Sequence, residues 1–379
     1  MDKKYMRIAL DLALKGMGFV NPNPMVGAVI VKDNEIIGRG YHKKYGQLHA
    51  ERNAFADCDS KGIDCRGADM YVTLEPCCHY GKTPPCTEAI IEHGIKRVFI
   101  GSSDPNPLVA GKGASILREH GIEVYENILK SECDSINEIF FHYITTKRPF
   151  VTMKYAMTLD GKIACVTGES KWITGGQARL DVQKERLRHS AIMVGIGTVL
   201  ADNPMLTCRL ENGRNPVRII CDSNLRIPLE SNIVKTAKDI RTIIAITDFS
   251  KRINNEKKEK KKILEEMGCE FITTHTSSEN FHVDLDKVMK KLGDMKIDSI
   301  LLEGGGELNW SMLKSGNVNK IQAYISPKIF GGAGAKSPVS GIGVNSPDNA
   351  FMLENTNIRR IDDDFLIEGK VIYNVHRNR

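Results

Sequence analysis

Apolar residues in the first seventeen positions recur at helical spacing. Met6, Leu10, Ala13 and Met17 share one stripe, which predicts an amphipathic helix over residues 2–17. After a loop rich in Pro and Asn the period changes. MVGAVIVKD (25–33) is an apolar run of strand length, and NEIIGRGYHKK (34–44) is its expected antiparallel neighbour after an Asp-Asn turn. HAERNAFADC (49–58) reads as a helix and MYVTLE (70–75) as a strand. TEAIIEHG (87–94), KRVFIGSSD (96–104), ASILREHG (114–121) and IEVYENI (122–128) then alternate helix and strand. Such alternation predicts a layered α/β unit.

A helical stretch that includes SINEIFFHY (135–143) closes this part, and the chain changes character at TTKRPF (145–150). The boundary is placed there, giving expected domains 1–146 and 147–379. FVTMKYAM (150–157) opens the second part as a strand. A loop rich in Gly and Asp follows (158–174), then a long helix, QARLDVQKERLRHS (177–190). AIMVGIGTVLADNP (191–204) reads as strand, turn and short helix, and VRIICDS (217–223), RTIIAITD (241–248) and CEFITT (269–274) as further strands. The lysine run in KKEKKKILEEMG (257–268) reads as a solvated helix face. In DSILLEGGGELNWSMLKSG (298–316) a buried strand meets Gly304, Gly305 and Gly306 and then a helix. That order offers unpaired N–H groups and a positive helix end to a phosphate. No GxGxxG follows the first strand of either part, which argues against a standard Rossmann unit.

Composition narrows the partners. The 379 residues carry 53 Lys and Arg against 47 Asp and Glu, a balance that suits a phosphorylated small molecule and is too slight for a nucleic-acid surface. Ten cysteines lie without framework spacing, as expected in a reducing compartment. No apolar run approaches the roughly 20 residues needed to span a membrane, and the N-terminus has no signal-peptide pattern. A soluble, cytoplasmic protein is expected. A homo-oligomer is expected too, although apolar stripes that could pair subunits also serve as core.

The chemistry concentrates between residues 49 and 86. A catalytic zinc takes three protein ligands of nitrogen or thiolate type and leaves its fourth position to water. His49, Cys77 and Cys86 make such a set. Glu51 lies two residues past the histidine, roughly 200° around a helix, so the two cannot share a lateral face and belong at a helix N-terminus. Pro-Cys after MYVTLE predicts a second helix starting near the cysteines, whose N–H groups would favour thiolate. Cys78 is read as a bystander, because adjacent cysteines rarely both reach one metal. A closed structural site with four protein ligands is the competing interpretation.

HAE followed by Pro-Cys and a further cysteine resembles the zinc-dependent cytidine and nucleobase deaminase superfamily, whose conserved Glu moves protons and does not bind the metal. The insert CHYGKTPPC (78–86), in place of the shorter PCxxC spacing, joins NPNPMVGAVI (21–30) and DPNPLVAGKG (104–113) in a narrower resemblance. These stretches resemble the deaminase part of the bifunctional riboflavin-biosynthesis deaminase/reductase family. VTMKYAMTLDGKIA (151–164), GESKWIT (168–174), VGIGTVLADNPMLTCR (194–209) and LLEGGGELN (301–309) resemble its reductase part, whose fold is similar to dihydrofolate reductase.

The resemblance implies a cytidine-deaminase-like three-layer domain followed by a dihydrofolate-reductase-like domain. It implies Zn2+ and NADPH as cofactors. The implied first reaction removes the 2-amino group of 2,5-diamino-6-ribosylamino-4-pyrimidinone 5'-phosphate, and the second reduces the ribosyl group to ribityl. By matching motif, Asn23, His42, His79 and Lys82 would hold the deaminase substrate, with Glu51 as proton shuttle. Ala156, Trp172, Thr198, Asp202, Ser223 and Gly304 to Gly306 would line the NADPH site. Lys154 would be catalytic, and Ser170, Arg186, Leu206, Arg209 and Glu303 would face the reductase substrate. On the residues alone, Trp172 could equally be core, and an Arg on such a helix is more often at the surface. Three rival readings stay open: a deaminase of a nucleotide or tRNA base with a non-catalytic second domain, a reductase with structural zinc, and a metabolite-binding protein without turnover.

Overall fold

The computed structural model describes residues 3–80, 84–106, 109–248, 255–275 and 282–373. The chain divides into two compact units, Met1–Lys147 and Arg148–Arg379.

In the first unit the elements run α1 (Lys3–Leu14), β1 (Gly27–Lys32), β2 (Glu35–Tyr41), α2 (Ala50–Ser60), β3 (Asp69–Leu74), α3 (Cys86–Glu92), β4 (Arg97–Ser102), α4 (Lys112–Glu119), β5 (Glu123–Tyr125), α5 (Lys130–Ile136) and α6 (Glu138–Thr146). The sheet order is β2-β1-β3-β4-β5; β1 is antiparallel to both neighbours, and β3, β4 and β5 are parallel. The period-2 alternation of a strand explains the three layers. Ala28, Ile30, Met70, Val72, Val98 and Ile100 face α2, α3 and α4, whereas Val29, Val31, Tyr71 and Phe99 face α1. A sheet covered on both faces has apolar residues on both, hence the continuous apolar runs.

The helix expected near the cysteines and over TEAIIEHG is α3, which begins at Cys86, after Pro85. Two successive prolines hold the residues before them extended, so a helix can start only beyond them. The helical stretch near 135–143 is two helices broken at Asn137. The buried Asn137 side chain accepts from the Met25 N–H at 2.8 Å and donates to the Met25 carbonyl at 2.9 Å, so a tertiary contact outweighs helical continuity.

The second unit begins with β6 (Phe150–Thr158), α7 (Gly176–Arg188), β7 (Ala191–Gly195), α8 (Ile196–Asp202), β8 (Val217–Cys221), α9 (Asn232–Lys235) and β9 (Thr242–Thr247). It continues with α10 (Asn255–Glu266), β10 (Cys269–Thr274), α11 (Leu285–Asp294), β11 (Ser299–Leu302), α12 (Gly306–Lys314), β12 (Lys320–Ser326), β13 (Met352–Ile361) and β14 (Asp364–Ile372). The strand order is β10-β9-β8-β7-β11-β6-β12-β14-β13, parallel from β10 to β12 and antiparallel beyond. Alternate residues again serve two cores: Met193, Ile219 and Ile243 on one face, Val194, Ile220 and Ile244 on the other. No helix among the described residues is long and apolar enough to cross a membrane.

Candidate active sites

At the carboxyl end of β3 the first unit gathers three metal-ligand atoms. His49, Cys77 and Cys86 present them within 4.8 Å of one another. His49 Nδ1 is 3.5 Å from Cys77 Sγ and 3.4 Å from Cys86 Sγ. His49 is the N-cap residue of α2, and Glu51 follows in its first turn, 3% exposed. The donor set of one imidazole and two thiols fits zinc, and with three ligands it is an open set. Cys78 is not in the group.

Local structure holds these ligands in place. The Cys86 N–H, first of α3, points at Cys77, 3.0 Å from its carbonyl and 3.4 Å from its sulfur. Arg52 on α2 donates to the carbonyls of Pro84 and Pro85 and so ties the two ligand-bearing helices together. Contact with the Cys86 thiol, helped by His49, holds Cys77 down at about 4, while the same contact and burial push Cys86 up. A coordinated cation would hold both sulfurs as thiolates. The hydrogen bond with Cys77 raises His49 against the opposing effect of burial. Burial, then the charge on Cys77, raises Glu51, so this carboxyl holds a proton more readily than a solvated one.

A cavity of about 260 Å³ opens over this group, lined among others by Asn23, His42, Glu51, His79, Asp104 and Asn106. Asn23 Nδ2 lies 3.3 Å from His42 Nε2, and His42 Nδ1 lies 3.0 Å from the Leu48 carbonyl. Because the amide and the carbonyl fix the roles of donor and acceptor, His42 is neutral with its proton on Nδ1. Burial favours the same state by lowering its pKa. Among the described residues, His79 Nδ1 is buried without a hydrogen-bond partner, a polar atom open to a ligand. Lys82 lies outside the described residues. Sequence reasoning missed Glu75, whose buried carboxylate accepts from the N–H groups of Asp104, Gly111 and Ala114 and anchors that wall of the cavity. It also gave Asp104 and Asn106 no role, although they lie within the quoted DPNP motif.

In the second unit Glu303, at the end of β11, accepts from Arg186 in a two-pronged ion pair, Nε to Oε1 at 2.7 Å and Nη2 to Oε2 at 3.0 Å. Lys154 Nζ on β6 lies 3.8 Å from Glu303 Oε2. All three side chains are nearly buried, so Arg186 is not a surface residue. Burial works against ionisation of Glu303, but Arg186 and Lys154 outweigh it and hold the carboxyl at about 2. Burial lowers the pKa of Lys154. Leu206, buried with φ +52°, turns the chain so that the Thr207 carbonyl accepts from Arg186 Nη1 at 2.9 Å. Arg209 adds to the field on Glu303, and its N–H donates to Gln183 Oε1.

A second cavity, of about 450 Å³, brings together Ser170, Thr198, Asp202, Gly305 and Gly306 with Ile163, Gly168, Lys336, Ser337 and Ser340. Ser170, expected at the substrate, thus lies with residues expected at the cofactor. Gly305 caps α12, and Gly304 sits against Leu308 and Asn309. Trp172 is 57% exposed with Arg179 over its ring, so it is not core. Ala156 packs beside Tyr324, and Ser223 Oγ accepts from the Val283 N–H; neither lines this cavity. The bare N–H groups at the start of α12 and the cavity beside them fit a phosphate-bearing dinucleotide.

Comparison with known proteins finds relatives of both units. A family model for the cytidine and deoxycytidylate deaminase zinc-binding region matches residues 1–102, and one for the RibD C-terminal domain matches residues 149–367. The chain is 54% identical to a riboflavin biosynthesis protein RibD of Actinobacillus pleuropneumoniae, over 98% of this chain and 96% of that protein. Its counterpart from Bacillus amyloliquefaciens is 42% identical over the full length of both. The crystal structure of a diaminohydroxyphosphoribosylaminopyrimidine deaminase/5-amino-6-(5-phosphoribosylamino)uracil reductase from Thermotoga maritima superposes with a TM-score of 0.81 at 40% identity, covering 98% of each chain.

Proposed function

The chain belongs to the bifunctional riboflavin-biosynthesis deaminase/reductase family, and from that premise we propose how its residues divide the work. It is an enzyme of two activities: zinc-dependent hydrolytic deamination of 2,5-diamino-6-(5-phosphoribosylamino)pyrimidin-4-one, then NADPH-dependent reduction of the ribosyl to the ribityl side chain. The observation that carries the first activity is the convergence of His49, Cys77 and Cys86 within 4.8 Å beside buried Glu51.

Zinc supplies, when bound, a water activated for attack near neutral pH. His49, Cys77 and Cys86 hold the metal. Glu51 takes a proton at its carboxylate and returns it toward the departing ammonia, a role that its buried, proton-retaining environment supports. Asn23, neutral His42 and the unpartnered His79 Nδ1 provide polar contacts for the pyrimidine. Lys82 is assigned to the substrate on the family motif alone.

NADPH supplies the hydride for the second reaction. Reduction of ribosyl to ribityl also takes up one proton, and Lys154 holds it at Nζ. Burial makes that lysine a readier donor than a solvated one. Glu303, itself held by Arg186, fixes the ammonium in place, and Arg209 and Leu206 are assigned to the same substrate face on the family motifs. Thr198, Asp202, Gly305 and Gly306 form the cofactor side, where Ser170 also lies; Gly304, Ala156, Trp172 and Ser223 are assigned to the cofactor on the family motifs alone. We assign the protein to the cytoplasm as a homo-oligomer: ten free cysteines suit a reducing compartment, and both substrates are soluble phosphates.

A coupled assay tests the division. Glu51→Ala is expected to lower ammonia release about 10²–10⁴-fold, as for loss of an acid–base group. It should keep its zinc and still oxidise NADPH on supplied deaminated substrate. Lys154→Ala is expected to do the reverse. Equal loss of both activities in either folded variant would sink the assignment.

A further inference from the structure

The cavity at the start of α12 contains a charge imbalance. Among the described residues its lining includes two carboxylates, Asp202 and Glu307, and a single cation, Lys336. A dinucleotide pyrophosphate brings about two more negative charges, while a helix N-terminus offers roughly half a positive one. The glycine turn alone is therefore too weak a counter-charge.

Lys336 is carried by a segment fastened to that same helix end. Ser340 N–H donates to the Gly306 carbonyl at 3.2 Å, and Ser340 Oγ donates to Glu307 Oε1 at 3.0 Å. Asn309, fully buried, donates from Nδ2 to the Pro338 carbonyl at 2.8 Å. The approach is close enough that a Cβ on Gly306 would meet Ser340 Oγ at 2.6 Å, and one on Gly341 would meet the Trp310 ring at 2.3 Å. At the other end of the segment the Ile163 N–H donates to the Lys336 carbonyl at 2.9 Å. The backbone of Lys336 is thus fixed on both sides, and among the described residues its ammonium has no hydrogen-bond or ion-pair partner. The Ser340 hydroxyl also occupies one oxygen of Glu307, which reduces the repulsion an incoming phosphate meets.

We infer that Lys336, held over the α12 N-terminus by the strap of residues 336–341, is the cation that grips the pyrophosphate of the nicotinamide cofactor. This rests on the assignment of this cavity to NADPH. Since NADPH and NADH share the pyrophosphate, the lysine sets affinity for both and does not discriminate between them. Lys336→Arg keeps the charge, and Lys336→Gln removes it with little change of shape.

The test is direct binding to the full-length protein, following cofactor fluorescence for NADPH and NADH, with inorganic pyrophosphate as competitor. Circular dichroism serves as the check on folding. Lys336→Gln is expected to weaken NADPH and NADH about tenfold each, the scale of one hydrogen bond to a charged group. It should also blunt competition by pyrophosphate, and Lys336→Arg should restore both. Unchanged affinity for both cofactors would overturn the inference. A loss confined to NADPH would overturn it too, by placing the lysine at the 2'-phosphate. If the unaltered protein binds neither cofactor, the assignment of the cavity itself fails.

Discussion

Glu303 shows how a site can be held together by charges that would each be costly alone. Its carboxyl sits near 2, against an ordinary glutamate value of about 4.3, because Arg186 and Lys154 outweigh burial. A group with a lowered folded value stabilises the fold above its unfolded value, and that contribution is lost as pH falls through the folded one. The window here runs from about pH 4.5 down to about 2, and the linkage amounts to roughly 3 kcal/mol. Glu303→Gln leaves Arg186 and Lys154 buried without a counter-charge, and should cost about 3–5 kcal/mol at pH 7 in urea denaturation of the second unit. The acid-dependent loss should shrink in the variant. A stability equal to the parent at pH 7 would mean that the two cations find other partners. The candidate metal ligands were legible in the sequence because imidazole and thiols around an HAE carry their own chemistry. Glu75, Arg52 and Lys336 were not. Each acts through main-chain groups or a folded-back segment, and nothing in the chain's order announces which N–H groups or which helix end will meet it.

Among the elements, α2 carries both His49 and Glu51, and its position depends on two glycines of β2. A Cβ at Gly40 would lie 2.2 Å from the Ala50 carbonyl oxygen and 2.3 Å from the Ala54 nitrogen; one at Gly38 would lie 2.5 Å from Cys58 Sγ. The sulfur could swing aside, but the backbone atoms facing Gly40, and the Ala54 carbonyl oxygen 2.7 Å from a Cβ at Gly38, could not. Gly40→Ala should therefore displace α2 from the sheet, costing about 1–3 kcal/mol as overpacking does. Zinc content after dialysis against a fixed free-zinc buffer should fall with it, because His49 moves relative to the cysteines. Full zinc retention with unchanged stability would show that α2 has slack. Elements with a sustained apolar period, such as α1, β1 and β9, could be read from the chain. The helix over TEAIIEHG was legible too, and Pro84 and Pro85 set its start at Cys86. β13 was not legible at all: its residues MLENTNIRRI are mostly exposed, so neither face selects for apolar side chains. Its pairing with β14 is specified by the neighbour rather than by its own pattern.

For the whole molecule, each unit has cores of its own. One set of clusters runs through Ile30, Met70, Tyr71 and Leu117, and another through Met193, Ile219, Ile220 and Leu302. The candidate metal ligands all belong to Met1–Lys147, while the glycine turn, Lys154, Arg186 and Glu303 all belong to Arg148–Arg379. A ligand that binds only folded protein stabilises what holds it, by about 2.7 kcal/mol when present at a hundred times its dissociation constant. Zinc should therefore raise the unfolding of the first unit, and NADPH that of the second. Calorimetry of the full chain should resolve two transitions, one lowered by a chelator and the other raised by NADPH, neither ligand moving both. A single transition shifted by either ligand would mean that the two units unfold together, and the stability assigned to Glu303 or to Gly40 would then have to be measured against the whole chain. The two activities could still be separable by Glu51→Ala and Lys154→Ala in that case, because catalytic independence requires only that each site keep its own chemistry, whereas thermal independence requires that each core stand without the other.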